Sequence, residues 1–564
     1  MIASLPPGLV LVIGGLLLPL VPVRLRGALM LALPVLGFLQ LLAIPHDTSF
    51  TVDIFGLTLE LIRIDRLSLI FGYIFYLAAF LAGIYALGLK ETGQQVAALV
   101  YSGSAIAALF AGDLVTLFVY WELTAISSVF LIWASRTEAA YRSGMRYLII
   151  QVGSGVILLA GVAVHYFETG SLAFDHLGLG SFGTTLIFIA FGIKCAFPLL
   201  HNWLQDAYPE ATITGTVFLS AFTTKLAVYA LARGYAGEES LIWIGAVMTT
   251  FPIFYAVIEN DLRRVLAYSL NNQLGFMVVG IGVGTQLSLD GTAAHAFCHI
   301  LYKALLFMSI GAVLFRTGTA KASELGGLYK SMPLTAAFCI VGAASISAFP
   351  LFSGFVSKSL IMSATAENGY LWVWFMLLFA SAGVVEHAGI KVPFFAFFGH
   401  DSGRRVPEAP LSMLIAMGAT AFLCVAIGIW PSALYAILPF ASDYAPYTTA
   451  HVVTQMQLLL LAILGVAVLM RTGLYPAEQR AINLDFDWVY RRALPALIRP
   501  LFSGGARVWN TLLGGTSGLV TGVVAQFSRH HGPQGVLART WPTGSMVLWV
   551  AAILGVSLVV YYLG

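Results

Sequence analysis

The sequence predicts an all-α polytopic membrane protein with about 14–16 transmembrane helices, at least two of them broken. Three observations carry this. The chain is 59% hydrophobic and only 10% charged, where a soluble domain carries about 25% charged residues. About sixteen apolar stretches follow one another along its 564 residues. Lys and Arg crowd into alternate connections, as short cytoplasmic loops do.

Spans are predicted near 9–22, 27–44, 66–88, 95–112, 113–134, 147–166, 183–205 and 212–233. They continue near 240–258, 272–288, 291–316, 333–362, 371–399, 409–435, 454–471 and 545–563. Connections after odd-numbered spans hold Arg24, Arg26, Lys90, Arg136, Arg142, Arg146, Arg263, Arg264, Arg316, Lys321, Lys330, Arg404 and Arg405. Those after even-numbered spans hold only Arg63, Arg66 and Arg233. The odd side is therefore read as cytoplasmic, with the first run, Leu9 to Val21, a retained span and its N-terminus outside.

Five regions follow. Residues 1–94 are N-terminal spans with an outer-face β-hairpin near 46–65, where polar and apolar residues alternate around Gly56. Residues 95–400 form the core, 401–471 further spans, and 545–564 a last span. Between them, 472–544 is richer in Arg, Gly and Pro, and Val508, Leu512, Leu519, Val523 and Phe527 recur at helical spacing. That spacing predicts an amphipathic helix along the cytoplasmic surface.

The chemistry lies in the charges within lipid. Lys194, Lys225, Lys303, Lys358 and Lys391 fall in apolar stretches, as does Glu122. Each such charge costs about 2.5–3.5 kcal/mol on the gentlest insertion scale, so these groups should face one another, a wet cavity or an ion path. Glu122 opposite a lysine can hold or release a proton with a small movement. Lys194 precedes Pro198, which should break its helix. A similar Gly-Ile-Lys string precedes Pro393 at Lys391, so the second broken helix is expected there, as in inverted-repeat transporters. His295, His299 and Lys303 recur every fourth residue and share one helix face, a pattern suited to a proton wire. Lys358 is placed nearer a membrane face. Glu386 and His387 are candidates for a water exit, Asp206 and Glu210 for a mouth.

Other functions find no support. Cys195, Cys298, Cys339 and Cys424 sit in apolar segments without C-x-x-C pairing, which argues core filler. No Walker loop, dinucleotide fingerprint or haem motif is present, so no cofactor is expected. No basic patch on a soluble domain suggests nucleic acid.

Several of these strings together resemble the proton-translocating antiporter family, which includes Mrp-type Na+/H+ antiporter subunits and the large antiporter-like membrane subunits of respiratory complex I. The resemblance covers roughly 60–400. It is carried by Trp121-Glu122-Leu123, Lys194 with Pro198, His201 and Trp203, Lys225, the run from Asp261 to Ser269, His295 to Phe307, Glu324 to Leu328 with Met332 and Pro333, and Gly354 to Lys358. Thr224-Lys225 with Tyr229 and the aromatic run after Pro393 are most similar to the Mrp D-type subunits. Gln205 and Tyr208 depart from the usual Trp-Leu-Pro-Asp-Ala-His string.

The resemblance implies a core with two inverted five-helix repeats and a hydrophilic axis through mid-membrane. It implies that Glu122 and Lys194 form a coupled pair, that Lys225 passes the proton inward, that His295, His299 and Lys303 link the halves and that Lys391 gates the exit. The partners it implies are other membrane subunits of the same complex, the lipid bilayer, protons and Na+, at the cell inner (plasma) membrane. A proton-pumping subunit of a complex I-like or hydrogenase-like oxidoreductase, or the membrane subunit of an inorganic-carbon uptake system, would keep the same residues.

Overall fold

The computed structural model describes residues 5–476, 483, 485–532, 535 and 543–563. Contacts divide the chain into two units, Met1–Asp485 and Phe486–Gly564.

The first unit opens with α1 (Leu9–Leu17) and α2 (Val23–Ala43), then a hairpin of β1 (Ser49–Ile54) and β2 (Leu57–Arg63). Its strands pair antiparallel, Ile54 facing Leu57, and Gly56 turns between them at φ +80°. There follow α3 (Arg66–Tyr85), α4 (Thr92–Leu109), α5 (Leu114–Trp133), α6 (Glu138–Thr169), α7 (Phe182–Lys194) and α8 (Asn202–Ala207). Next come α9 (Ile213–Ala221), α10 (Thr223–Gly234), α11 (Glu239–Ile258), α12 (Leu262–Val283) and α13 (Gln286–Thr317). The unit continues through α14 (Pro333–Ile346), α15 (Ser353–Glu367), α16 (Leu371–Val384), α17 (Leu411–Ile429), α18 (Ser432–Tyr435) and α19 (Thr449–Thr472).

Among the described residues, eleven helices are long and apolar enough to cross a membrane, counting α9–α10 as one and α16 with its continuation to Phe398 as another. They match eleven of the sixteen stretches. The other five are α1, α4, α7–α8, α12 and α14–α15, which are shorter, interrupted or more polar. The count falls below sixteen because α1, α7 and α14 are too short and α4 and α12 too polar.

Loop contacts separate two faces. On one, Arg63 N–H donates to the Phe110 carbonyl, Phe174 N–H to Gly112, Leu177 N–H to Gly234 and Gly237 N–H to Ile281. These join the connections after the second, fourth, sixth, eighth and tenth stretches. On the other face Arg136 pairs with Glu91, Arg263 donates to the Pro209 and Ala211 carbonyls, Asn260 bonds Ser323, and Lys330 pairs with Asp401. That basic face gathers the odd-numbered connections.

Two spans break with the same local geometry. After α7, Ala196 and Leu199 take φ +61° and +71°; after α14, Ala348 and Leu351 take +59° and +73°. Phe197 N–H reaches five residues back to Gly192, and Phe349 N–H five back to Ala344. The sequence between is Ala-Phe-Pro-Leu both times. Each span lies fourth in a group of five, and α7 runs toward the basic face whereas α14 runs away from it. One turn used in opposite senses is the mark of an inverted repeat.

The second break is therefore not at Lys391 and Pro393. There the helix stays continuous and widens into π-helical turns over Val385–Lys391 and Phe394–Phe398. The wider turn absorbs the proline that an α-helix would reject.

The second unit contains a π-helical turn at Val489–Ala493 leading into α20 (Leu494–His531), and then α21 (Thr543–Leu563). Leu519, Val523 and Phe527 are exposed on α20, while Val508 and Leu512 lie outside the residues whose side chains are described. α21 is apolar, and none of its described residues is buried.

Candidate functional site

Lys225, Lys358 and Lys391 bond carbonyls at helix ends or interruptions, whereas Lys194 and Lys303 bond carbonyls within α5 and α12. Lys194 is the last residue of α7, and its Nζ donates to the Trp121 carbonyl (2.5 Å) and Thr124 Oγ1 (3.0 Å). It also stands 4.3 Å from the centre of the Trp121 ring. An ammonium on an indole face gains cation–π attraction that strengthens when dry. Lys225 follows the interruption between α9 and α10, and its Nζ takes the Ser220 carbonyl at 2.7 Å. Tyr101 holds that interruption open by bonding the amide and hydroxyl of Thr223.

Glu122 lies beside Lys194 but not on it. No ion pair joins them among the described residues; the two interact through space. Glu122 Oε1 is buried without a hydrogen-bond partner, tucked where Gly155 of α6 has no side chain. Glu122 and Lys194, expected as a coupled pair, are therefore neighbours without a direct ion pair.

The face of α13 carries the second cluster. His295 Nδ1 meets Ser357 Oγ at 3.0 Å and its Nε2 meets Gln273 Oε1 at 3.2 Å. Tyr302 O–H donates to the same Gln273 oxygen, and Lys303 Nζ to the Leu266 carbonyl. The His295 and His299 rings stack 6.3 Å apart. Lys225, Lys303, His295 and Lys358 all lie close enough to act electrostatically on His299, and Cys195 lies beside Lys225. Lys225, His295, His299, Lys303 and Lys358 therefore form one electrostatic neighbourhood.

Lys358 departs from its expected place near a face. It is buried just past the second break, donates to the Ile346 carbonyl at 3.3 Å and stands 4.8 Å from the Phe276 ring. Lys391 has a different environment again. Its Nζ gathers the carbonyls of Ala256, Val257 and Glu259 at 3.2, 2.6 and 2.7 Å, so it caps the end of α11. The Glu259 carboxyl, on the connection beyond, is pushed up to about 7 by burial against the pull of Arg264.

Polar side chains between these charges lack protein partners. Both side-chain polar atoms of Gln151, Gln205, Asn271, His299 and His387 are buried without one. Such groups ordinarily take water as a partner. Asp206 is instead locked to Arg146 in a two-point pair at 2.7 and 3.0 Å, and Glu386 accepts from Tyr475. Glu210, the other expected mouth residue, lies beyond the end of α8, and burial raises its carboxyl pKa.

Sequence reasoning missed three groups. Ser357 and Gln273 were hidden among ordinary polar residues. The Ala-Phe-Pro-Leu string, repeated 152 residues apart, was a visible signal for the second break.

The family described as NADH:quinone oxidoreductase/Mrp antiporter, TM, matches residues 111–384, the stretch holding both α7 and α14. The NADH-quinone oxidoreductase N chain of Desulforudis audaxviator is 32% identical over 60% of this chain and 75% of its own length. The chain belongs to this family. The D component of a Na(+)/H(+) antiporter from Alkalihalophilus pseudofirmus is 31% identical over 47% of the chain, and hydrogenase-4 component B of Escherichia coli 28% identical over 65%. The matches span only 58% and 62% of those two relatives. Among solved structures, the Mrp complex from Dietzia sp. DQ12-45-1b aligns with a TM-score of 0.70 at 22% identity, over 81% of this chain and 99% of the other. That likeness gives the fold of an antiporter-like, multi-pass membrane subunit.

Proposed function

We propose that this chain is the proton-conducting membrane subunit of a multi-subunit Na+/H+ antiporter of the plasma membrane. Protons would enter at Glu122 and Lys194, pass Lys225, and cross along Lys303, His299 and His295 to Lys358. Lys391, beside Glu259 and His387, would serve the basic-face end of the second half. Separating Glu122 from Lys194 makes the lysine easier to deprotonate, and re-pairing restores its proton. The observation that supports this best is the set of buried titratable side chains that α7, α10, α13 and α15 carry, Lys194, Lys225, His295, His299, Lys303 and Lys358.

Glu122→Gln and Lys194→Ala, each in the complete assembly in everted vesicles, should lower Na+-driven proton exchange by at least about tenfold. Full exchange in both would overturn the reading. The identity to the oxidoreductase N chain favours a second reading, a pump driven by electron transfer in a complex I-like or hydrogenase-like oxidoreductase. In that case the same variants would abolish proton movement driven by substrate oxidation, and Na+ would be irrelevant.

A further inference from the structure

Asp485 is the last residue of the first unit, and its carboxylate is buried at the start of α8. His201 Nε2 meets its Oδ2 at 3.0 Å, and Tyr268 O–H donates to the same oxygen at 2.9 Å. Asn202 Nδ2 donates to Oδ1. His201 and Asn202 open the half-helix that follows the first break; Tyr268 belongs to α12. One carboxylate therefore ties the second half of a broken helix to a neighbour that does not break.

The site lies on the basic face. Asp206, four residues after Asn202, pairs with Arg146, and Phe251 packs edge-on to His201 at 4.6 Å between centroids. A buried carboxylate is stable only when its oxygens are filled by donors, and three side chains fill these. Behind them, His201 Nδ1, Asn202 Oδ1 and both polar atoms of Gln205 are buried without partners. Releasing Asp485 would leave a cluster of unfilled polar groups that admits water toward the break.

We propose that Asp485 is a latch on the basic-face mouth of the first broken helix, whose release opens the axis to water. Its consequence for transport rests on the proton-axis reading above, but the latch itself does not.

Gln205→Cys, a position inside the mouth but not in the latch, reports on it in the complete assembly. A membrane-impermeant maleimide presented to the basic face should label it slowly with Asp485 present. Asp485→Ala should speed labelling by about tenfold, the factor expected from losing hydrogen bonds to a charged group. Tyr268→Phe, which removes one donor and keeps the ring, should give a smaller increase. Asp443→Cys, on the opposite face and treated with the same reagent presented to that face, should label equally in all backgrounds. Equal labelling of Gln205→Cys in every background overturns the latch, and so does equal acceleration at Asp443→Cys. If Glu122→Gln leaves exchange intact while labelling changes as described, the axis reading falls and the latch stands.

Discussion

Glu122 occupies space that exists because residue 155 has no side chain. A Cβ built at Gly155 would stand 1.4 Å from Glu122 Oε1 and 2.4 Å from its carboxyl carbon. Alanine there fits the helix, even with better propensity, but the carboxyl must swing away from its resting place near Lys194. Gly155→Ala should fold and assemble yet lose about tenfold in exchange rate, because displacement of roughly 1 Å at a reacting group commonly costs that or more. In a Glu122→Gln background the same change should add nothing, since the displaced carboxylate is already gone. The charges themselves were legible in the sequence, because an ionisable group amid apolar residues is conspicuous. Gly155 was not, because one glycine among 56 gives no sign of what it faces. Asp485 was equally hidden, its role depending on a return of the chain that no local pattern encodes.

The helices show why one break was readable and the other was misplaced. Proline was taken as the breaker, and it does follow each turn. What shapes the turn is a left-handed alanine two residues earlier, a conformation that disfavours any residue with a β-carbon by about 1–3 kcal/mol. Sequence preference therefore argues against the very conformation adopted. Pro393 escaped breaking its helix because π-helical turns leave room for its ring. Gly389 lies within those turns and packs against Ser347 at the second break; a Cβ there would meet Ser347 Oγ at 2.3 Å. The strings around Lys391 thus belong to the neighbour of the broken helix.

Helix α3 offers a test of end chemistry at this scale. Asp65 caps it through the Ser68 amide and pairs with Arg233 at 2.6 Å. Burial opposes its charge, but Arg233 and the amide outweigh burial and hold the carboxyl below its ordinary value. A depressed folded value means the stabilisation is full above about pH 4 and disappears as pH falls through that lower value. Asp65→Asn keeps a good cap and removes only the charge. It should lower stability by about 1 kcal/mol at pH 7, with the gap closing in strong acid, as followed by denaturation of the detergent-solubilised protein.

For the whole molecule, charge placement conveyed more than hydropathy did. The alternation of Lys and Arg assigned every connection to a face, and the loop hydrogen bonds join the same sets of connections. Length and hydropathy alone undercount the spans because α4, α12 and the two broken spans are interrupted or carry Gln, Asn, Ser and Thr among their apolar residues. The second unit raises the opposite problem. α21 is long and apolar, yet none of its described residues is buried, and α20 exposes Leu519, Val523 and Phe527. A helix that buries nothing in its own chain gains nothing from its own fold beyond insertion in lipid, and α20 displays its apolar row outside any core of this chain. Such surfaces are expected to be covered by other membrane subunits. A chain stopped after Asp485 should still insert and keep the first unit's contacts, since those close before residue 486. Co-purification with its partner subunits should fall by about tenfold or more, the loss expected when even one or two well-packed apolar anchors are removed from an interface. Undiminished co-purification would mean that the first unit alone carries assembly and that α20 and α21 face lipid.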